Sequence, residues 1–214
     1  MNDEMCHSAT NYECYKGIYS SLNSMNLFEI MHSLNRQFGD ENWTLYRGKH
    51  LMSFVDNHDV SRIASILAEE KHIPLAYALM FTMPGIPMIY YGSEWGFKAD
   101  KKEGDPALRP AFDTPVYNEL TEYITKLTKI HNASPVLWYG GFKPLQIANK
   151  QCAFLREKDG KRMIIAVNAD GNNARLNFHI DNVNGSLTDF ITGDEIEFNS
   201  GLDLGGFRAY IFEV

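Results

Sequence analysis

Two apolar runs of strand length constrain this chain more than anything else in it. The first, Leu51-Met52-Ser53-Phe54-Val55, stops abruptly at Asp56-Asn57-His58-Asp59, and the second, Ile86-Pro87-Met88-Ile89-Tyr90-Tyr91, stops at Gly92-Ser93-Glu94. Between them, Ser61 to Ala68 can be helical, and Ile73 to Met83 is an apolar helical run beginning near Pro74, where a first turn tolerates proline. Strand, helix and strand in that order form a βαβ unit, whose parallel strands open on one rim. The second run is continuous and rich in branched and aromatic residues, as expected of a fully buried parallel strand. His58, Asp59 and Glu94 are therefore expected on a common rim.

Taken alone, Asn57-His58-Asp59 reads first as a loop capping the next helix, since Asn57 or Asp59 makes a good N-cap. Its place at the end of a buried strand argues for more, because α/β folds gather their chemistry at strand carboxyl ends. Arg62 reads as a structural partner of a neighbouring carboxylate. Glu94 reads as a residue that fixes the rim rather than one that touches a ligand.

Upstream, His7 to Glu13 is expected to form a short strand, followed by a loop through Ser24 that carries Tyr12, Tyr15 and Tyr19. Exposed tyrosines stack on sugars, but packed ones are at least as common. Leu27, Ile30, Met31, Leu34 and Phe38 fall at helical spacing, with Asn26 as N-cap and Gly39 just past the end. Downstream, Trp95 to Thr114 is a long loop containing Asp105-Pro106-Ala107-Leu108-Arg109, and loops of that length in compact domains are often functional. A helix from Val116 to Asn132 follows, and Ser134-Pro135 marks a boundary.

Beyond Trp138 the period changes to two, in runs at 153–157, 162–168, 174–180, 187–191, 195–198 and 207–214 separated by turns such as Asp159-Gly160 and Asn184-Gly185. That pattern is an all-β module, expected as an antiparallel sandwich.

Composition narrows the function. The 214 residues are 44% hydrophobic with a net charge of -7 and scattered bases, which argues against nucleic acid and for neutral or weakly charged ligands. No apolar run reaches the ~20 residues of a membrane helix. Cys6, Cys14 and Cys152 form neither a disulfide framework nor a zinc site, and as unpaired thiols they suggest a cytoplasmic protein. His58 and Asp59 are competent metal ligands, but the remaining histidines are dispersed, so no metal site is expected.

In order, Phe54-Val55-Asp56-Asn57-His58-Asp59 and Met83-Pro84-Gly85-Ile86-Pro87-Met88-Ile89-Tyr90-Tyr91-Gly92-Ser93-Glu94 closely resemble the last two barrel strands of the α-amylase superfamily, glycoside hydrolase family 13. Asp105 and Arg109 resemble the pair with which that family grips a neighbouring glucose unit. The resemblance implies an α/β chain: a partial (β/α)8 TIM barrel, strands six to eight with their helices, over residues 1–135, then a β-sandwich over residues 136–214. It implies that Asp59 is the transition-state-stabilising aspartate, that His58 and Asn57 belong to the substrate site, and that Asp105 and Arg109 bind sugar. An oxocarbenium-like state needs such nearby negative charge and hydroxyl-directed hydrogen bonds.

The family's nucleophile and acid/base stand at the ends of strands four and five, each in its own motif, and neither motif occurs here. A full barrel needs ~250 residues. The chain is thus expected to be the C-terminal part of a longer retaining α-glucan hydrolase or transglycosidase, inactive alone. It would take α-glucans or maltooligosaccharides, with no cofactor, although the longer enzyme could hold calcium. Its sixth strand would present an open barrel edge through which the piece self-associates. The alternative is a non-catalytic carbohydrate-binding module using Trp95, Trp138 and Tyr139, of which the last two are expected to pack at the domain junction.

Overall fold

A computed structural model of the chain describes residues 4–214. Three segments run parallel: Thr10, bridged to Met52; β1 (Met52–Ser53); and β2 (Ile86–Pro87), paired in the register Met52↔Ile86 and Ser53↔Pro87. Helices α1 (Tyr12–Ser24) and α2 (Phe28–Phe38) lead from the first segment to β1, and α3 (Ile63–Ile66) and α4 (Ile73–Thr82) lead from β1 to β2. Gly85 makes the last pairing possible. It sits at φ 137°, and a Cβ there would lie 2.7 Å from the Leu51 carbonyl oxygen, so only glycine lets β2 lie against β1.

Several expectations change. The strand at His7 to Glu13 reduces to Thr10, because the Asn11 side chain accepts from the Cys14 backbone N–H and starts α1 at Tyr12. The tyrosine-rich loop is that helix: Cys14, Ile18, Ser21 and Leu22 form its buried stripe, a 3.6-residue period that the tyrosines obscure. Leu27, not Asn26, is the N-cap of α2, and Asn26 contributes only its carbonyl, to Glu29. The second apolar run is not buried on both faces either, since Ile86, Ile89 and Tyr91 are 49%, 36% and 43% exposed. β2 has a neighbour on one side only.

Helix α4 is apolar all round and buried at every residue but Pro74, as a helix between layers must be. The long loop contains α5 (Asp105–Leu108), after which α6 (Glu119–Ala133) begins at a reciprocal cap between Asn118 and Thr121. Then α7 (Pro135–Tyr139) leads into β3 (Gly141–Ile147), β4 (Gln151–Lys158) and β5 (Lys161–Asn168). These join β10 (Arg208–Glu213) in an antiparallel sheet of order β10-β5-β4-β3. Between β5 and β10 come β6 (Ala174–Leu176), β7 (Gly185–Thr188), β8 (Glu195–Phe198) and β9 (Leu202–Leu204), pairing as β6–β9 and β7–β8.

Alternation splits the four-stranded sheet cleanly. Ala153, Leu155, Ile164, Ala166 and Phe212 face Leu176, Phe198, Leu202 and Leu204 in one core. Cys152, Phe154, Met163, Ile165 and Val167 face the helices in the other, so one core runs unbroken past residue 135. Arg156 pins this junction. Fully buried, it donates to the carbonyls of Gly141 (3.0 Å), Thr82 (2.6 Å), Leu137 (3.1 Å) and Gly140 (2.8 Å), tying the end of α4 to α7 and β3. Burial pulls its guanidinium down to about 9, still charged at neutral pH.

Candidate functional site

The strand ends carry a polar rim in two layers. Beneath it, Asp56 at the end of the first apolar run is buried and accepts from the Ile63 backbone N–H (2.7 Å) and from Ser93 Oγ (2.7 Å). Burial raises its carboxyl above the ordinary value, while the Ile63 and Ser93 hydrogen bonds and Arg62 oppose the shift. Arg62 is sealed beside it. It donates to Ser93 Oγ (2.8 Å) and to the carbonyls of Tyr91 (2.7 Å) and Leu108 (2.8 Å), with its guanidinium 4.1 Å from the Tyr90 ring centroid. Arg62 thus meets its carboxylate through a serine, and its guanidinium ties the segment after β2 to the long loop through the Tyr91 and Leu108 carbonyls.

Above this layer lies the exposed one. His58 Nε2 stands 3.3 Å from Asp59 Oδ2, and Arg109 Nη2 lies 3.6 Å from Asp59 Oδ1 and 3.9 Å from Asp105 Oδ2. All four side chains are about half exposed, so water screens these contacts and leaves the groups open to a ligand. Lys101, at 2.5 Å, holds the Asp105 carboxyl below its ordinary value, with Arg109 a smaller contributor.

Asp59 and the pair Asp105 and Arg109, far apart in the chain, therefore meet on one rim. Asn57 does not reach out with them. It is buried, its Oδ1 accepts from the Asp59 backbone N–H (2.7 Å) and its Nδ2 donates to the Tyr12 hydroxyl (3.3 Å). Glu94 turns away from the rim and lines a groove with Ile89, Tyr91, Ile124 and Thr128, and its buried Oε2 has no hydrogen-bond partner among the described residues.

The sequence assigns no role to Ser93, and it leaves open which of Tyr12, Tyr15 and Tyr19 is exposed. Ser93 directly follows Gly92 at a strand end, which is a usable signal. Tyr12 is 46% exposed, its ring edge-on to Phe54 at 5.0 Å, while Tyr15 is buried and stacks on Phe54 at 4.9 Å. Which of three tyrosines faces outward follows from the helix they lie on. Trp138 is partly buried and donates to the His131 carbonyl (2.7 Å), whereas Tyr139 is 61% exposed.

Cys14 and Cys152 are buried and Cys6 exposed, all unpaired, and burial pushes the first two thiols up to about 12, where they are inert at neutral pH. Among the described residues no three His, Cys, Asp or Glu are grouped to hold a metal ion, and no helix is long and apolar enough to cross a membrane.

Comparison with known proteins adds independent support. The family described as "Alpha amylase, catalytic domain" matches residues 6–182. A protein named beta/alpha-amylase from Paenibacillus polymyxa is 32% identical over 159 residues, 69% of this chain and 13% of that protein. One named alpha-amylase 2 from Dictyoglomus thermophilum is 28% identical over 169 residues, 75% of this chain and 28% of that protein. Among solved structures, an alpha-amylase from Geobacillus thermoleovorans complexed with acarbose superimposes with a TM-score of 0.82 at 23% identity, over 96% of this chain and 47% of its own. The chain thus spans under half the length of each of these relatives.

Proposed function

The chain belongs to the α-amylase catalytic-domain family, and on that premise we propose that it is the C-terminal part of an α-glucan-active retaining hydrolase or transglycosidase: late strands of a (β/α)8 barrel followed by a β-sandwich. The observation that carries this is the grouping of His58, Asp59, Asp105 and Arg109 at the carboxyl ends of parallel strands. Asp59 supplies negative charge against a developing oxocarbenium ion, and His58 donates to a sugar hydroxyl. Arg109 and Asp105 hold a neighbouring glucose unit. Asn57 positions Asp59 from below. Tyr12 offers an aromatic face beside them, suited to stacking on a sugar ring.

This set lacks a proton donor. Retaining hydrolysis needs a carboxylic acid kept protonated near neutral pH and a second carboxylate as nucleophile. Asp105 is held ionised by Lys101 and Arg109, and Asp56, whose carboxyl is raised, is buried beneath Ser93 and Arg62. The chain by itself therefore binds maltooligosaccharide without turning it over.

The test is a titration with maltotriose followed by NMR, alongside an assay for reducing ends released from starch. The expected result is saturable binding, at least tenfold weaker in Asp59→Asn or Arg109→Ala, and no hydrolysis above that of Asp59→Asn. A folded chain that ignores maltotriose sinks the sugar reading, and turnover that depends on Asp59 sinks the claim of inactivity.

A further inference from the structure

Asp105 and Arg109 are carried by a loop, and the chain just after Asp59 fastens that loop at both ends. At its start, Ser61 Oγ donates to Asp100 Oδ1 (3.1 Å) and accepts from the Lys101 backbone N–H (2.8 Å), while the Arg62 N–H donates to the Ala99 carbonyl (2.9 Å). At its end, Arg62 Nη2 donates to the Leu108 carbonyl (2.8 Å), next to Arg109. Ser61 and Arg62 follow Asp59 closely in sequence, so one short stretch of chain fixes both the aspartate and the loop that faces it.

Between those fastenings the loop is tightly wound. Asp100 caps a single 3-10 turn, Lys101–Glu103: its Oδ1 accepts from the Lys102 backbone N–H (3.0 Å), and Glu103 Oε2 accepts from the Asp100 N–H (3.3 Å). Gly104, at φ 89°, then turns the chain into α5, which Asp105 opens. Lys101 Nζ reaches across that corner to Asp105 Oδ1 (2.5 Å), which leaves Oδ2 toward Arg109 at 3.9 Å. Arg109 in turn lies 3.6 Å from Asp59 Oδ1. The contacts run in a closed circuit from Asp59 along the chain to Ser61, across to Lys101, Asp105 and Arg109, and back to Asp59.

From this we infer that Ser61 and Lys101 are positioning residues for Asp105 and Arg109, an assignment that rests on the reading of that pair as the grip on a glucose unit. Ser61 seats the turn that carries Lys101, and Lys101 holds one oxygen of the Asp105 carboxylate so that the other faces Arg109 and the sugar. Each contact is weak by itself, because water reaches it. Its effect is on order: a carboxylate that turns freely has to be immobilised when the sugar binds, and holding it beforehand removes that cost. A lysine is a point charge on a flexible stem, and it can aim a carboxylate only if its own backbone is held. Ser61 does the holding, and its one proton goes to Asp100.

Titration of the Asp105 carboxyl, followed by carbon-13 NMR in the unliganded chain, reads the relay without any sugar. Lys101 holds that carboxyl below its ordinary value, so Lys101→Met should raise the midpoint. The Ser61 hydrogen bonds go to Asp100 and Lys101 rather than to Asp105, yet Ser61→Ala should raise the midpoint too, and Ser61→Thr, which keeps the hydroxyl, should not. Against maltotriose, Ser61→Ala and Lys101→Met should each weaken binding about threefold or more, with Ser61→Thr and Lys101→Arg within about twofold of the unaltered chain. The double variant of Ser61→Ala and Lys101→Met should bind no more weakly than Lys101→Met, because the two residues act in series. An Asp105 midpoint indifferent to Ser61→Ala, losses that add in the double variant, or binding that depends on Arg109 but on neither Ser61 nor Lys101 would each overturn the inference and leave the sugar reading standing. A folded chain that ignores maltotriose sinks the sugar reading instead, and the Asp105 titration then decides the relay by itself.

Discussion

The junction around Arg156 and the rim around Asp59 both gather charge, and they treat it in opposite ways. Arg156 is sealed from water and saturated by four carbonyls, with no carboxylate in the arrangement. Asp59, His58, Arg109 and Asp105 are half exposed and touch one another at 3.3 to 3.9 Å. A guanidinium spent on carbonyls holds pieces of chain together and has nothing to offer a ligand. Charges left loosely paired in water add little to stability but can exchange partners for a sugar hydroxyl. The lower layer of the rim, Asp56, Ser93 and Arg62, follows the junction's logic directly beneath a surface that does not.

The sharpest way to break this comparison is at Arg156. Arg156→Ala strands four carbonyls and should lower stability by ~3 kcal/mol or more, read as a fall in the urea midpoint. A midpoint unchanged would mean that the junction is as loose as the rim. Next in size is Asp56→Ala, which takes the acceptor from Ile63 N–H and Ser93 Oγ and removes the carboxylate that Arg62 meets through that serine. A loss of ~2 to 3 kcal/mol is expected, with the Asp56→Asn variant losing less.

The junction also predicts a pH dependence. His131 Nδ1 bonds the Phe81 carbonyl at 2.8 Å, and burial pulls the imidazole below its ordinary 6.5 despite that bond. Above pH 6.5 the ring is neutral folded and unfolded, and its stability is fully present. As pH falls below 6.5, the unfolded chain takes up a proton that the folded one resists, and stability is lost. The Tm should therefore drop between pH 7 and pH 5, and His131→Asn should flatten the slope. The smallest expected stability effect is at the rim, where Asp59→Asn should stay within ~0.5 kcal/mol of the unaltered chain while maltotriose binding weakens. A rim variant that unfolds the protein would erase the distinction.

Much of the fold is legible in local sequence. The helical period of Leu27 to Phe38 and the alternation of Ile164, Ile165 and Ala166 identify elements because neighbours in the chain dictate which face is buried. The grouping of Asp59 with Asp105 and Arg109 is legible only through the family resemblance, since no local rule links a strand end to a loop dozens of residues on. The misreadings have local causes as well. Three tyrosines in α1 mask an amphipathic stripe, and Pro144 in β3 and the brevity of β9, Leu202–Leu204, weaken the period-two signal of both strands.

What the sequence alone determined is the family, the strand–helix–strand order from Leu51 to Tyr91 and the residues that follow those two strands, all written in short stretches whose spacing survives without neighbours. Only the tertiary structure decided that Asn57 is spent beneath the rim, that Tyr12 rather than Tyr15 faces outward, that Ser93 stands between Asp56 and Arg62, and that β2 ends the parallel strands with one side open. Each of those is a question of which groups separated by dozens of residues exclude water from one another, and burial of that kind is a property of the packed chain rather than of any segment in it.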